Sequence, residues 1–355
     1  MLHQRMAAIL SDAYAHPGRR AFYYTCMTRD TTGSARLNGM PFWDWNPQPP
    51  FPLPLEAEPP EGTQAIPVAF GCPVSTTSEG RFFCKPIIRE PAQVKDLAIP
   101  DVRAGRLGKH LEYLRKIRDL LPDGYTARTF DALSPLSVAN LIWDESFYIA
   151  LYDHPQAVHD LLDKITTFII RYLNATYEAI SETRVNPTAC PPLWARCKGY
   201  YISDDTMSLV SPEMHLEFSV PYINRITESC GPVCYHSCTW RRKYFDNLHQ
   251  LKNVLVFNWN PGNSDDPAII IREFSGTAVL APHLVHNMHK DNDVLRWNPH
   301  FADESDFFKY YLDNMQDNTT MFFWFSNIVE NGPVMDKIYD LLDEHAYTVR
   351  AHGLV

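Results

Sequence analysis

The sequence predicts an α/β protein built on a closed (β/α)8 TIM barrel. After residue 105, segments with helical periodicity alternate with short apolar runs that suit buried parallel strands. Runs such as VLVF and MFFWF are apolar on both faces, as strands covered by helices on both sides must be. The alternation continues to the last helix without a visible reversal of strand order, which favours a barrel, although it also allows an open doubly wound sheet.

The first 104 residues are predicted to form an extension that packs on the barrel, and residues 105–355 to form the barrel itself, within one structural domain. Residues 1–20 have the pattern of an amphipathic helix. Residues 41–62 contain so many prolines that they indicate an extended arm. Short apolar runs broken by Gly and Pro between 63 and 101 indicate a small antiparallel hairpin.

The elements of the barrel follow from periodicity, caps and turn residues. Helices are predicted over 110–121, 145–154, 155–180, 211–229, 241–250, 265–275, 303–315 and 334–347. Strands are predicted over 125–133, 199–203, 232–237, 253–258, 277–282 and 319–326.

Composition argues against several classes of partner. The net charge is -10, and the longest basic cluster is Arg241-Arg242-Lys243 after Trp240, too short for a nucleic-acid surface. No apolar run reaches the roughly 18 residues of a membrane span. The N-terminus does not read as a signal peptide, so we expect a cytoplasmic protein with eight reduced cysteines.

Polar residues follow several predicted strands, where a parallel barrel places its chemistry. They are Asp204, Asp205, His236, Cys238, Asn258, Asn260, His283, His286 and Asn327. Asp204 and Asp205, with Tyr200, are the candidates for catalysis. Asn258, Asn260, His286 and Asn327 are the candidates for binding substrate or cofactor.

His236 and Cys238 are the best candidates for metal ligands. Residues four apart on a strand are about 13 Å apart, so one ion cannot bind Cys234, His236 and Cys238 together. Zinc takes imidazole nitrogen and thiolate sulfur, and His236 and Cys238 lie where the strand opens into a loop. Structural roles stay open: the pair also suits a buried histidine beside a core thiol, and Asp204 and Asp205 also suit helix capping.

The stretch DDTMSLVSPEMHLEFSVPYINRI followed by VCYHSC resembles the uroporphyrinogen decarboxylase superfamily, and the resemblance runs from about 130 to 348. That superfamily has a (β/α)8 barrel and includes cobamide-dependent methyltransferases. True uroporphyrinogen decarboxylases carry an R-Q-A-G-R motif that binds substrate propionates. The matching region, FYYTCMTRDTTGSARLNG, offers only Arg29 and Arg36, so the methyltransferase branch is the closer match.

The resemblance implies a zinc ion, a cobamide such as methylcobalamin as co-substrate, and a small-molecule substrate. Thiol-directed methyltransferases of the superfamily bind zinc through H-x-C and a later cysteine. His236 and Cys238 match the first two ligands, but no cysteine follows Cys238. His283 is the third ligand we predict; the other candidates are His286, Cys230 and Cys234.

The sequence is also consistent with three functions other than thiol methylation. One is demethylation by acid chemistry with Asp204 or Asp205, His236 and Tyr200. Another is a metal-independent decarboxylase of a small or tetrapyrrole-like acid, and a third is a non-catalytic barrel that binds a corrinoid carrier protein. The D-x-H-x-x-G cobalt-ligand motif is missing, so a corrinoid would arrive free or on a separate carrier protein. Family barrels often pair, which predicts a homodimer.

Overall fold

The computed structural model describes residues 21–26, 55–56, 59, 62–76, 82–120, 127–128, 131–182, 185–186, 199–282, 301, 304–325, 336–337 and 340–341. The strands are β1 Ala21–Cys26, β2 Leu55–Glu56, β3 Val74–Thr76, β4 Phe82–Cys84, β5 Ala127–Arg128, β6 Asp131–Leu133, β7 Val185–Asn186, β8 Tyr200–Ser203, β9 Val233–Ser237, β10 Val254–Trp259, β11 Val279–Pro282 and β12 Thr320–Phe325. The α-helices are α1 Ala65–Ala69, α2 Gly105–Leu120, α3 Pro135–Ile142, α4 Phe147–Asp153, α5 Pro155–Ile180, α6 Pro212–Phe218, α7 Val220–Cys230, α8 Phe245–Leu248, α9 Pro267–Phe274 and α10 Glu304–Asn314.

Seven of these strands form one sheet, in the order β1-β12-β11-β10-β9-β8-β6, and every pairing in it is parallel. From β6 to β12 the neighbours in the sheet follow the order of the chain. The first strand, β1, then pairs with the last, β12, with Ala21 opposite Thr320. An open doubly wound sheet reverses its strand order partway across, whereas a barrel joins its first and last strands. The strand order is therefore that of a barrel, and the predicted fold is confirmed; the described residues contain seven strands of the sheet, and no pairing between β6 and β1 is seen among them.

The strand β1 was not predicted, and it comes from the segment assigned to the extension. It contributes the edge that pairs with β12. Within the same segment, β3 and β4 form the predicted antiparallel hairpin. Residues 1–20, most of the predicted arm at 41–62 and most of the closing helix at 334–347 lie outside the described residues.

The helix predicted over 211–229 is two helices, α6 and α7, which meet at Ser219. Pro221 in the first turn of α7 explains the break, because proline has no N–H and clashes with the preceding turn. Ser211 caps α6 as predicted, accepting a hydrogen bond from the backbone N–H of Met214. Among the described helices, none has the length and apolar character needed to cross a bilayer.

Alternation along β10 places the core on one face and the site on the other. The Phe257 ring packs edge-on against Trp240 and Phe274, with ring centroids 5.2 and 5.1 Å away, and all three are buried. The next side chain, Asn258, points to the opposite face and contacts His236 on β9. The aromatic cluster thus fixes the strand whose other face carries polar groups.

Candidate active site

A buried carboxylate, Asp204, lies directly after β8 and is 0% exposed. Its Oδ1 accepts a hydrogen bond from Ser134 Oγ at 2.5 Å. Its Oδ2 accepts from Ser219 Oγ at 2.8 Å and Tyr235 OH at 3.1 Å, and His215 Nε2 is 3.0 Å away. Both oxygens are therefore used within the protein, and the side chain does not reach solvent.

The tautomer of His215 follows from its other neighbour. Asn247 Nδ2 donates to the Pro212 carbonyl at 2.6 Å and lies 3.1 Å from His215 Nδ1. An amide nitrogen has only hydrogens to offer, so Nδ1 is the acceptor and Nε2 carries the proton that His215 donates to Asp204.

The charge of Asp204 results from two opposing effects. Burial alone would raise the pKa of the Asp204 carboxyl. The hydrogen bond from His215, with those from Ser134 and Ser219, outweighs burial and holds this pKa below its ordinary value. Asp204 is therefore an ionised anchor that joins β8 to the start of α3, to α6, to Ser219 and to β9.

His236, on β9, is oriented by Asn258. Asn258 Nδ2 donates to the Ala281 carbonyl at 2.5 Å, so its Oδ1 is the atom that faces His236 Nδ1, also at 2.5 Å. His236 must then carry its proton on Nδ1, which leaves the lone pair of Nε2 available. Burial lowers the pKa of His236, although Asp205 and Asn258 act in the opposite direction, so the ring is neutral at neutral pH.

Three ligand-type side chains converge at the free nitrogen of this ring. His236 Nε2 lies 3.2 Å from Cys238 Sγ and 3.7 Å from Asp205 Oδ1, and the ligand atoms of the three all lie within 4.8 Å of one another. The backbone N–H of Cys238 donates to Asp205 Oδ1 at 2.6 Å. We call these three residues the Asp-His-Cys cluster.

The cluster is open on one side and packed on the other. The Asp205 side chain is 47% exposed and Cys238 is partly buried, whereas His236 is 7% exposed. Tyr201 stacks on the His236 ring with centroids 5.9 Å apart. The arrangement can bind a divalent metal or share a proton between Cys238 Sγ and His236 Nε2.

The other predicted site residues are placed differently. Tyr200 begins β8 and pairs with Val233, whereas Ser203 pairs with His236, so Tyr200 lies about 10 Å along the strand from this edge. Asn260 caps a turn, with its Oδ1 accepting from the backbone of Gly262. His283, His286 and Asn327 lie outside the described residues.

Two of the alternative third ligands do not join the cluster. Cys230 ends α7 and its Sγ lies 3.8 Å from the Ile170 carbonyl, and Cys234 is buried one strand step deeper than His236. Asp205, which the sequence analysis assigned to catalysis, is the third ligand-type side chain beside His236 and Cys238. Its approach to Cys238 depends on a contact across 33 residues, so no local spacing signals it.

Comparisons with known proteins agree with this architecture. A family model described as uroporphyrinogen decarboxylase (URO-D) matches residues 62–184. The uroporphyrinogen decarboxylase of Hydrogenovibrio crunogenus is 28% identical over 171 residues, which is 46% of this chain and 43% of that protein. That of Azotobacter vinelandii is 28% identical over 159 residues, 43% of this chain and 39% of that protein. The matches thus span less than half the length of these curated relatives.

A solved structure with the same fold is a methyltransferase from Methanosarcina mazei. The match covers 80% of this chain and 78% of the methyltransferase chain, with a TM-score of 0.55 and 16% sequence identity. The chain has a TIM-barrel fold with polar side chains at the carboxyl edge of its strands. Its predicted resemblance to the uroporphyrinogen decarboxylase superfamily is confirmed, although the family model matches residues 62–184 rather than the predicted span of about 130–348.

The Asp204 anchor predicts a stability defect. In Asp204→Asn one oxygen becomes an amide that cannot accept, which leaves buried donors without partners and should lower the free energy of unfolding by about 3 kcal/mol. Urea unfolding measures this change. Asp153→Asn, at an exposed carboxylate on α4, is the control and should stay within about 0.5 kcal/mol of the parent. Equal free energies of unfolding in the two variants would show that Asp204 does not anchor the strand ends.

Proposed function

We propose that this chain is a zinc-assisted methyltransferase that moves a methyl group between a small methylated substrate or thiol and a cobamide. The observation that carries the proposal is the convergence of Asp205, His236 and Cys238 at the carboxyl edge of the barrel. The shared fold with a methyltransferase supports the reaction class. The H-x-C sequence at His236 and Cys238 supports the metal.

The donor set fits zinc. A tetrahedral zinc ion with bonds of about 2.0 to 2.3 Å places neighbouring ligand atoms roughly 3.3 to 3.8 Å apart. The distances from His236 Nε2 to Cys238 Sγ and to Asp205 Oδ1 are 3.2 and 3.7 Å, and all three ligand atoms lie within 4.8 Å of one another, so small side-chain shifts would bring them to zinc-ligand separations. Three protein ligands leave a fourth position for a substrate, which is the pattern of catalytic rather than structural zinc. We therefore propose Asp205 in the position for which the sequence predicted His283.

A zinc ion held there would supply Lewis acidity that favours the thiolate form of a bound thiol. The residues of the chain prepare the position for it. Asn258 keeps the proton of His236 on Nδ1, so Nε2 stays free to bind. Asp205 holds the backbone of Cys238 and therefore fixes the loop that carries the sulfur. Tyr201 stacks on one face of the imidazole.

Two residues predicted for catalysis take supporting roles in this proposal. Asp204 anchors the strand ends, because its oxygens are fully used by protein donors. Tyr200 lies at the far end of β8, and burial raises its pKa well above the ordinary value, so it stays protonated. Asp205 is thus the acidic residue assigned to the chemistry, and the cobamide arrives free or on a separate corrinoid protein.

A metal-independent decarboxylase is the second candidate. It is favoured by the URO-D family model over residues 62–184 and by two relatives that are uroporphyrinogen decarboxylases. In a decarboxylase without a metal, His236 Nε2 and Cys238 Sγ, which lie 3.2 Å apart, would share a proton in a hydrogen bond. Release of carbon dioxide from candidate acids by chelator-treated protein would favour it.

Metal content separates the two candidates. Purified protein should carry about one zinc ion per chain, measured by plasma mass spectrometry, because three ligands converge on one point. His236→Ala should lose most of the metal while staying folded. His249→Ala removes a histidine that pairs with Glu273 at the surface and should keep the metal. Wild-type levels of zinc in folded His236→Ala would contradict the proposed site.

A second variant tests whether Asn258 positions the ring of His236. Asn258→Leu frees the ring of His236 to turn and to change tautomer, so zinc affinity should fall by about 10- to 100-fold. Competition with a chromophoric chelator measures the dissociation constant. Asn318→Leu changes an exposed asparagine in the same way and should leave affinity unchanged. Unaltered affinity in Asn258→Leu would show that His236 needs no such partner.

A further inference from the structure

A cavity of about 570 Å³ opens beside the Asp-His-Cys cluster. Its walls include Ser208, Thr239, Arg241, Arg242, Lys243 and Asp265. Thr239 directly follows Cys238, and Ser208 belongs to the turn that Asp205 begins, where its Oγ donates to the Asp205 carbonyl at 3.0 Å. One end of the cavity therefore borders the cluster.

The cavity wall has an excess of positive charge. Asp265 is the carboxylate among the lining residues, and it already accepts hydrogen bonds from Arg241 Nη1 and from the backbone N–H of Arg242, both at 2.8 Å. Among the described residues, no carboxylate forms an ion pair with the Arg242 guanidinium. Lys243 Nζ lies 4.8 Å from the centre of the Tyr244 ring, and its charge helps to lower the pKa of the Glu213 carboxyl, but it makes no close ion pair within the described part of the chain.

This wall is held rigidly. The backbone N–H of Asp265 donates to the Trp240 carbonyl at 2.8 Å, and the backbone N–H of Trp240 donates to Ser264 Oγ at 2.9 Å. These bonds and the Arg241–Asp265 pair join the loop that carries the three cations to the neighbouring loop that carries Ser264 and Asp265. A charged site whose backbone is fixed in advance loses less entropy when it binds a ligand.

We propose that this cleft binds the anionic group, a phosphate or a carboxylate, of a small molecule whose other end reaches the Asp-His-Cys cluster. Arginine and lysine side chains bind such groups by charge-assisted hydrogen bonds. The chain has a net charge of -10, so a cationic cleft is a local exception that attracts anions to one place. The volume suits a small molecule rather than a free ion.

The binding of an anion and the identity of the ligand as the substrate are supported by different observations. That the ligand is the reacting substrate rests on the proposed function, because it places the reacting end at the metal. That the cleft binds an anion rests on Arg242, Lys243 and the cavity alone. Anion binding is therefore measured on metal-free, full-length protein.

The experiment is isothermal titration of inorganic phosphate and, separately, of acetate. Wild-type protein should bind one or both, and the stronger binder identifies the anionic group. Arg242→Gln should weaken that binding by about tenfold or more, since a charge-assisted hydrogen bond is lost. Arg171→Gln removes an exposed arginine from α5 and should bind as wild type.

His236→Ala removes a proposed metal ligand but keeps the cleft, so it should bind the anion as wild type does. Anion binding can therefore be judged even if the protein binds no metal. Absence of binding to folded wild-type protein would overturn the inference. Equal affinity in wild-type and Arg242→Gln protein would also overturn it.

Discussion

The carboxylate of Asp204 is the constraint on which the rest of the site depends. Ser134, His215, Ser219 and Tyr235 each donate to it, and they come from four different segments around the carboxyl end of β8. A buried charge is tolerated only when hydrogen bonds satisfy it, so those segments must stay in register. Asp204 also donates its backbone N–H to the His236 carbonyl at 2.7 Å, which links the anchor to the strand of the cluster.

The two adjacent aspartates have different tasks because of where their side chains lie. Asp204 is enclosed, whereas the Asp205 side chain is half exposed and faces Cys238 and His236. On the opposite side of the His236 ring, Asn258 fixes the proton position. Asp204 and Asn258 thus position the cluster from two sides, and neither of them offers a free ligand atom. Such outer contacts set ligand orientation and basicity in metal sites.

Local pattern predicted much of the fold but little of the polar network. The helix at 155–180 and the strands at 199–203 and 232–237 were predicted because apolar periodicity and caps are local signals. The strand β1 was missed because its role depends on pairing with β12, almost 300 residues later. The His236–Cys238 pair was visible as H-x-C, but Asp205 as its neighbour and His215 as the partner of Asp204 depend on tertiary contacts.

The proposed function depends on Asp205, His236 and Cys238 binding one metal ion together. The absorption spectrum of the Co²⁺-substituted protein reports on all three ligands. We expect a thiolate-to-cobalt charge-transfer band with the intense visible bands of four-coordinate cobalt, and an altered visible spectrum with weaker binding in Asp205→Asn. A spectrum without a thiolate band, or an Asp205→Asn variant with the spectrum and affinity of wild type, would contradict this shared binding.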